Sequence, residues 1–323
     1  MRSLKGLPVG PARRVLLTAL SVTLATTLAS PIAAQQDQGT LTSNRTAQSA
    51  PPVSFRSSIN LVSISAVVRN RRGKVMQSLR GDDFQVFDGG VRRQVVDVRA
   101  DSNAPASVAL LVDGSGSMRL GLAQAFSRQI STELLAGLNP ARDTAALLSF
   151  DTRLLTLCEF TRDFEQVRSR MNHVESFGST SLYDAVAGSA AMVAERVQNR
   201  RAVIVLTDGL DNSSAYSPEK VAWIASTIDV PVYVFDVGDR PADDETHTER
   251  GPLAAVAQAT GGELFVANTP QLVAAAVKRV TEELRHQYVI AFESQNTGLR
   301  RVEIRMRKPD LRVQARNWYQ ASE

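Results

Sequence analysis

The sequence predicts an α/β fold: a doubly wound, mostly parallel six-stranded sheet, joined to a small β-sandwich-like unit built from the N- and C-terminal strands. Three observations carry this expectation. Between residues 104 and 286, apolar strand-like runs alternate repeatedly with helical periodicity, as in a parallel sheet wrapped on both faces. The run Val108–Val112 has no polar interruption, which a strand buried on both faces requires. Residues 55–101 and 287–323 each hold β-branched or alternating stretches, too few in either place to make a stable sheet alone.

Taken in order, residues 1–34 read as an export signal. Arg2, Lys5, Arg13 and Arg14 form a basic start, Val15–Leu28 an apolar core too short to span a bilayer, and Ala33-Ala34 a small-residue cleavage point. The expectation is a periplasmic, extracellular or cell-envelope-associated protein with no transmembrane segment in the mature chain. Residues 35–54 are rich in Gln, Ser, Thr and Pro and read as a disordered leader. In 55–101, Ile59–Val68 is β-branched, Asn70–Gly73 reads as a turn, and Phe84–Phe87 and Val91–Val98 flank the hairpin signal Asp88-Gly89-Gly90. The tripeptide Arg80-Gly81-Asp82 reads as the loop before that first strand.

The α/β region follows. Helical periodicity covers Leu122–Leu138 and stops at Asn139-Pro140. Thr144–Phe150 and Leu154–Glu159 form a tight pair with one antiparallel edge strand. Helices are expected over Phe164–Val174, Leu182–Asn199, Glu219–Thr227, Leu253–Ala259 and Gln271–His286, and strands over Ala202–Thr207, Val232–Val237 and Glu263–Ala267. Beyond residue 286, Gln287–Phe292 reads as a strand. Arg301–Arg307 alternates strictly, and Lys308-Pro309-Asp310 turns into a last alternating stretch, Leu311–Arg316, as a hairpin. These strands are expected to pack with residues 55–101.

Charge narrows the function classes. Of 37 Lys and Arg, four lie in residues 1–34, which hold none of the 33 Asp and Glu. The basic pI is therefore a property of the signal, and nucleic-acid binding loses its support. The lone Cys158, in an apolar run, reads as a buried small hydrophobe, and three scattered histidines exclude a Cys/His metal cluster.

The chemistry is concentrated where the first apolar strand ends. Asp113-Gly114-Ser115-Gly116-Ser117 sets a carboxylate and two hydroxyls on alternate residues, with glycines that let the backbone curl them toward one point. Hard oxygen donors suit Mg²⁺, Mn²⁺ or Ca²⁺. This D-x-S-x-S motif resembles the metal-ion-dependent adhesion site of von Willebrand factor A (vWA) domains. That resemblance asks for a Thr in a loop before a later helix, matched by Thr180 within Phe177–Asp184. It also asks for an Asp ending the fourth strand, matched by Asp208 after Ala202–Thr207. Each residue has an ordinary alternative reading: Ser115, Ser117, Thr180 or Ser181 as helix caps, Asp113 and Asp208 as turn formers. Five such coincidences in order favour the metal site. The signal, the D-D-F-x-V-F-D-G-G element at Asp82–Gly90 and the strand Gln287–Phe292 further resemble secreted bacterial "VWFA-related" proteins.

The resemblance implies that Ser115, Ser117 and Thr180 ligate the ion directly, and Asp113 and Asp208 directly or through water. A site so sparing in direct charge keeps the ion electrophilic and one position open for a Glu or Asp carboxylate of a partner protein. The expectation is a metal-dependent adhesion or interaction module, not an enzyme. A partner-binding rim is expected at Gly178, Ser179, Asp211 and, in the charged loop 239–250, Asp243, Asp244 and Glu245. Two alternatives stand beside it: a purely structural ion in an envelope scaffold, and a Mg²⁺-dependent hydrolase. Haloacid-dehalogenase-type phosphatases need a second acid two residues after the first, where this chain has Ser115. No Lys or His adjoins the ligand motifs as a base, and Gly114-x-Gly116 lacks the third glycine of a dinucleotide loop.

Overall fold

The structure, a computed structural model, describes residues 60–321 except 101, 120, 175–177, 198, 199, 240–246 and 296. The expected signal (1–34), the leader (35–54) and the rim residues Asp243, Asp244 and Glu245 lie outside the described residues.

The β-branched run near the N-terminus forms β1 (Asn60–Asn70). The Arg80-Gly81-Asp82 tripeptide enters a single 3-10 turn over Gly81–Asp83. The hairpin signal at Asp88-Gly89-Gly90 joins β2 (Phe84–Asp88) to β3 (Val91–Arg93), in the register Asp88↔Val91 and Val86↔Arg93. Gly89 and Gly90 both have positive φ (58° and 85°), which a two-residue turn matched to strand twist needs. The run Val91–Val98 is not the single strand expected. It breaks at Gln94, and β4 (Val95–Ala100) belongs to a different sheet from β3. Alternation of valines is compatible with either arrangement, so the sheet change left no mark in the pattern.

The α/β region comprises β5 (Ala106–Asp113), α1 (Ala123–Gly137), β6 (Thr144–Phe150), β7 (Leu154–Thr161), α2 (Phe164–Met171), α3 (Leu182–Ala194), β8 (Arg200–Thr207), α4 (Pro218–Thr227), β9 (Val232–Asp236), α5 (His247–Ala259), β10 (Leu264–Val266) and α6 (Pro270–Arg285). Its six-stranded sheet has the order β10-β9-β8-β5-β6-β7, parallel throughout except for the edge strand β7. All eight residues of β5 are buried, as the uninterrupted apolar run requires. Val108, Leu110 and Val112 join the core under α1, α2 and α6, while Ala109 and Leu111 join the core under α3, α4 and α5. Each large aliphatic side chain so buried contributes about 1.5–3 kcal/mol. Three helix ends differ from expectation by three residues or more, the first being α2, which stops at Met171 instead of Val174. Helix α3 stops at Ala194 instead of Asn199, and α5 begins at His247, before its apolar periodicity starts at Leu253. No helix among the described residues is long and apolar enough to cross a membrane.

The chain ends with β11 (Tyr288–Ser294), β12 (Gly298–Met306), β13 (Leu311–Ala315) and β14 (Trp318–Ala321). Two four-stranded antiparallel sheets result among the described residues, in the orders β13-β1-β11-β4 and β14-β12-β2-β3. Both ends of the chain thus build one sandwich, as expected. The inward residues Val62, Ile64, Val86, Ile290, Phe292, Val302, Ile304 and Tyr319 share its core, with Phe292 and Tyr319 meeting edge-on at 5.8 Å. The expected hairpin through Lys308-Pro309-Asp310 is corrected. Strand β12 pairs with β2 and β14, whereas β13 pairs with β1, so this turn carries the chain from one sheet to the other. A crossover and a hairpin both keep one face of each strand inward, and alternation alone does not separate them. Cys158 is free and buried.

Candidate metal centre

Strand β5 delivers Asp113 to the carboxyl edge of the sheet with 1% of its surface exposed. The chain then folds back on the Asp113 side chain, whose Oδ1 accepts the Ser115 N–H at 2.8 Å. That turn brings the Ser115 and Ser117 hydroxyls to 3.0 Å from each other. The other carboxylate oxygen, Oδ2, accepts the Thr207 hydroxyl at 2.6 Å. Strands β5 and β8 run side by side with Val112 opposite Leu206, so Asp208 follows one residue past the end of β8, next to Asp113. The Asp113 carboxyl is pushed up to about 6, foremost by burial, with the Asp208 charge adding to it and the Thr207 and Ser115 donors opposing it.

The third segment is the loop before α3. The Gly116 N–H donates to the Gly178 carbonyl at 3.5 Å, linking this loop to the Ser115 turn. Thr180 is buried. Its N–H donates to Asn212 Oδ1 at 2.9 Å, and its carbonyl accepts the Asn212 and Ser213 N–H groups at 3.1 Å each. Helix α3 is then capped from outside. Its N-cap residue Ser181 makes no side-chain cap bond. Instead Asp211 Oδ1 accepts the Leu182 N–H at 2.8 Å, and the Ser214 hydroxyl accepts from Tyr183 at 3.0 Å and Asp184 at 3.3 Å. Asp184 returns the contact by accepting the Ala215 and Tyr216 N–H groups, both at 2.9 Å.

The structure therefore gathers the Asp113–Ser117 turn, Asp208 and the Thr180 loop at one sheet edge. Asp113, Ser115, Thr180 and Asp208 are buried, Ser117 is half-buried, and Gly178 and Ser179 are exposed beside them. Asp211, expected on the rim, is half-buried and serves as the distant cap of α3, also accepting the Ser214 hydroxyl at 2.6 Å. Thr207, Asn212 and Ser214 were not singled out in the sequence. Their signal was the dense run of hydroxyl and amide residues from Thr207 to Ser214 after a buried strand. Asp211→Ala is expected to cost about 1–2 kcal/mol, as loss of a helix cap does, and to speed amide exchange at Leu182. Exchange at wild-type rate would show that another group holds the end of α3.

Among the described residues, no three His, Cys, Asp or Glu side chains cluster to hold a metal ion. The donors gathered here are instead two carboxylates and three hydroxyls. They fit a hard divalent cation, because two buried acidic groups at adjacent strand ends are relieved by a positive charge between them.

Compared with known proteins, residues 108–210 match the family model of the von Willebrand factor type A domain, a span that holds all five candidate ligands. No curated protein matches the chain. Similar solved structures include BatB from Bacteroides thetaiotaomicron, with 18% identity over 55% of this chain and 98% of that one, at a TM-score of 0.46. A von Willebrand factor type A protein from Catenulispora acidiphila is similar over 82% of this chain and 76% of that one, with 11% identity and a TM-score of 0.48. The vWF domain of the type V pili tip protein Mfa5 from Porphyromonas gingivalis shares 23% identity over 33% of this chain and 39% of that one, at a TM-score of 0.30.

Proposed function

We propose, from the von Willebrand factor type A domain at residues 108–210, that this chain is an exported module that binds an acidic side chain of a partner protein through a divalent cation. Asp113, Ser115, Ser117, Thr180 and Asp208 would hold Mg²⁺, with Mn²⁺ or Ca²⁺ as substitutes. When bound, the ion supplies an electrophilic seat for a Glu or Asp carboxylate. The observation that carries the reading is the division of the donor set: Asp113, Ser115, Thr180 and Asp208 form a buried floor, while Ser117, Gly178 and Ser179 border an accessible side. Export rests on the basic-then-apolar residues 1–34.

Two arguments separate this reading from its alternatives. The Thr180 backbone is held on both its N–H and its carbonyl by Asn212 and Ser213 without help from an ion, so a clamp for this loop already exists. For turnover, a base is needed, and the segments 113–118, 178–184 and 207–214 contain neither Lys nor His. The test is a panel of immobilised Glu- and Asp-containing peptides probed with the purified mature chain in Mg²⁺ or in chelator. Capture is expected only in Mg²⁺, to disappear when the peptide carboxylate becomes an amide, and to disappear in Asp208→Ala with its melting temperature in chelator retained. Loss of stability without loss of capture would make the ion structural. Mg²⁺-dependent hydrolysis of a phosphoester or peptide panel, abolished by Asp208→Ala, would make the protein an enzyme.

A further inference from the structure

Charge is divided unevenly between the two parts of the chain. Segments 60–101 and 287–323 hold 15 Lys and Arg against 9 Asp and Glu, while residues 102–286 hold 16 against 23. Much of the excess positive charge meets at one place, a cleft of about 620 Å³ where β1 and β13 of the sandwich approach the turn before β10 and helix α6. Four guanidinium groups line it: Arg69 from β1, Arg71 just beyond, Arg312 from β13 and Arg279 from α6.

The pairing pattern makes this costly. Arg69 and Arg312 are direct cross-strand partners, so their side chains leave the same face of the sheet, and like charges so placed destabilise a sheet. Two carboxylates offset part of the repulsion. Arg69 Nη1 lies 3.2 Å from Glu263 and its Nη2 pairs with Glu283, while Arg279 reaches Glu263 at 2.5 Å and Glu283 at 3.5 Å. Two acids thus balance two guanidiniums. Arg71 and Arg312 are exposed and pair with no carboxylate among the described residues. Two exposed planar forks without a carboxylate, beside two guanidiniums that are only just balanced, match the demand of an anion with several oxygens. Because Glu263 also faces the cleft, a singly charged anion gains little there, whereas a multiply charged one retains a net attraction.

We propose that this cleft binds a phosphate-bearing anion of at least two charges, through Arg71 and Arg312. The site lies outside the five-residue metal centre and shares no residue with it. A phosphorylated soluble molecule and the phosphate headgroup of an anionic lipid present the same chemistry, and the experiment distinguishes them.

The mature chain is titrated calorimetrically with pyrophosphate at constant ionic strength, in chelator so that no divalent ion bridges it to the acidic site. Saturable binding is expected, about tenfold weaker (about 1.4 kcal/mol) in the double variant Arg71→Gln/Arg312→Gln. A second double variant, Arg92→Gln/Arg301→Gln, removes the same charge from the other sheet and is expected to bind as wild type, as is Asp208→Ala. Melting temperatures within a few degrees of wild type show that each variant is folded. Cosedimentation with phosphatidic-acid vesicles that depends on Arg71 and Arg312 would identify a lipid source, and pyrophosphate binding without cosedimentation a soluble one. No heat at millimolar pyrophosphate overturns the proposal. So does equal weakening by the two double variants, which would mean diffuse attraction to a basic sandwich.

Discussion

Asp113→Ala is expected to abolish the stabilisation that the proposed Mg²⁺ site would give the wild-type chain, and to do so without unfolding it. A ligand that binds only the folded state stabilises by about 2.7 kcal/mol at a concentration one hundred times its Kd, and the wild type is expected to gain on that scale. In the variant the gain vanishes, because the carboxylate that anchors the Ser115–Ser117 turn and faces Asp208 is gone. In chelator the comparison is different. The substitution removes the bonds from Ser115 and Thr207, but it also removes a buried acid that burial and Asp208 make costly to ionise. These effects oppose, so the two metal-free proteins should melt within a few degrees of each other. Thermal unfolding of both in Mg²⁺ and in chelator checks the result. Equal Mg²⁺ shifts would remove the ion from the end of β5, and a large metal-free loss would make Asp113 chiefly a structural residue.

Ending the chain after His286 unfolds residues 60–100. The truncation deletes β11 and β13, the two neighbours of β1, and β12, the neighbour of β2. It also strips Tyr288, Ile290, Phe292, Val302, Ile304, Leu311 and Tyr319 from the sandwich core. At about 1.5–3 kcal/mol for each large side chain, the loss is about 10–20 kcal/mol, as large as the 5–15 kcal/mol by which whole domains are stable. Limited proteolysis should cut freely between residues 60 and 100 of the shortened chain while sparing the central strands β5, β6, β8 and β9. If residues 60–100 stay as protected as in the full chain, the N-terminal strands have found stability without their C-terminal partners.

What could be read in advance follows the range of each interaction. Strand β5 was legible because burial on both faces leaves an uninterrupted apolar run, and Asp113 and Asp208 became neighbours through the parallel strand order alone. The cap of α3 was not legible. A helix start normally shows its cap in the adjoining residue, and Ser181 fits that pattern, yet the bonds come from Asp211 and Ser214, about thirty residues away. Pairing in the sandwich was legible only as a need, since neither terminal segment holds enough strands. Which strand meets which was not, because β12 and β13 carry the same alternation whether they form a hairpin or change sheets. Strand β14 was missed altogether. Its four residues are too few to set up a period.

The sandwich's construction from both ends of the chain governs when it can form. Asn60 pairs with Ser294, and β2, already paired with β3 on one side, waits for β12 on the other, so neither β1 nor that edge of β2 is covered until the whole α/β segment has been made. Closing so long a loop before any contact rewards it is slow for a free chain. Folding 106–285 first shortens that loop drastically, since Ala100 and Tyr288 are paired at its two ends. The α/β segment therefore acts as a splint: once set, it holds two distant stretches of chain in register, and until the C-terminal strands have been made β1 and the outer edge of β2 stay without their sheet neighbours.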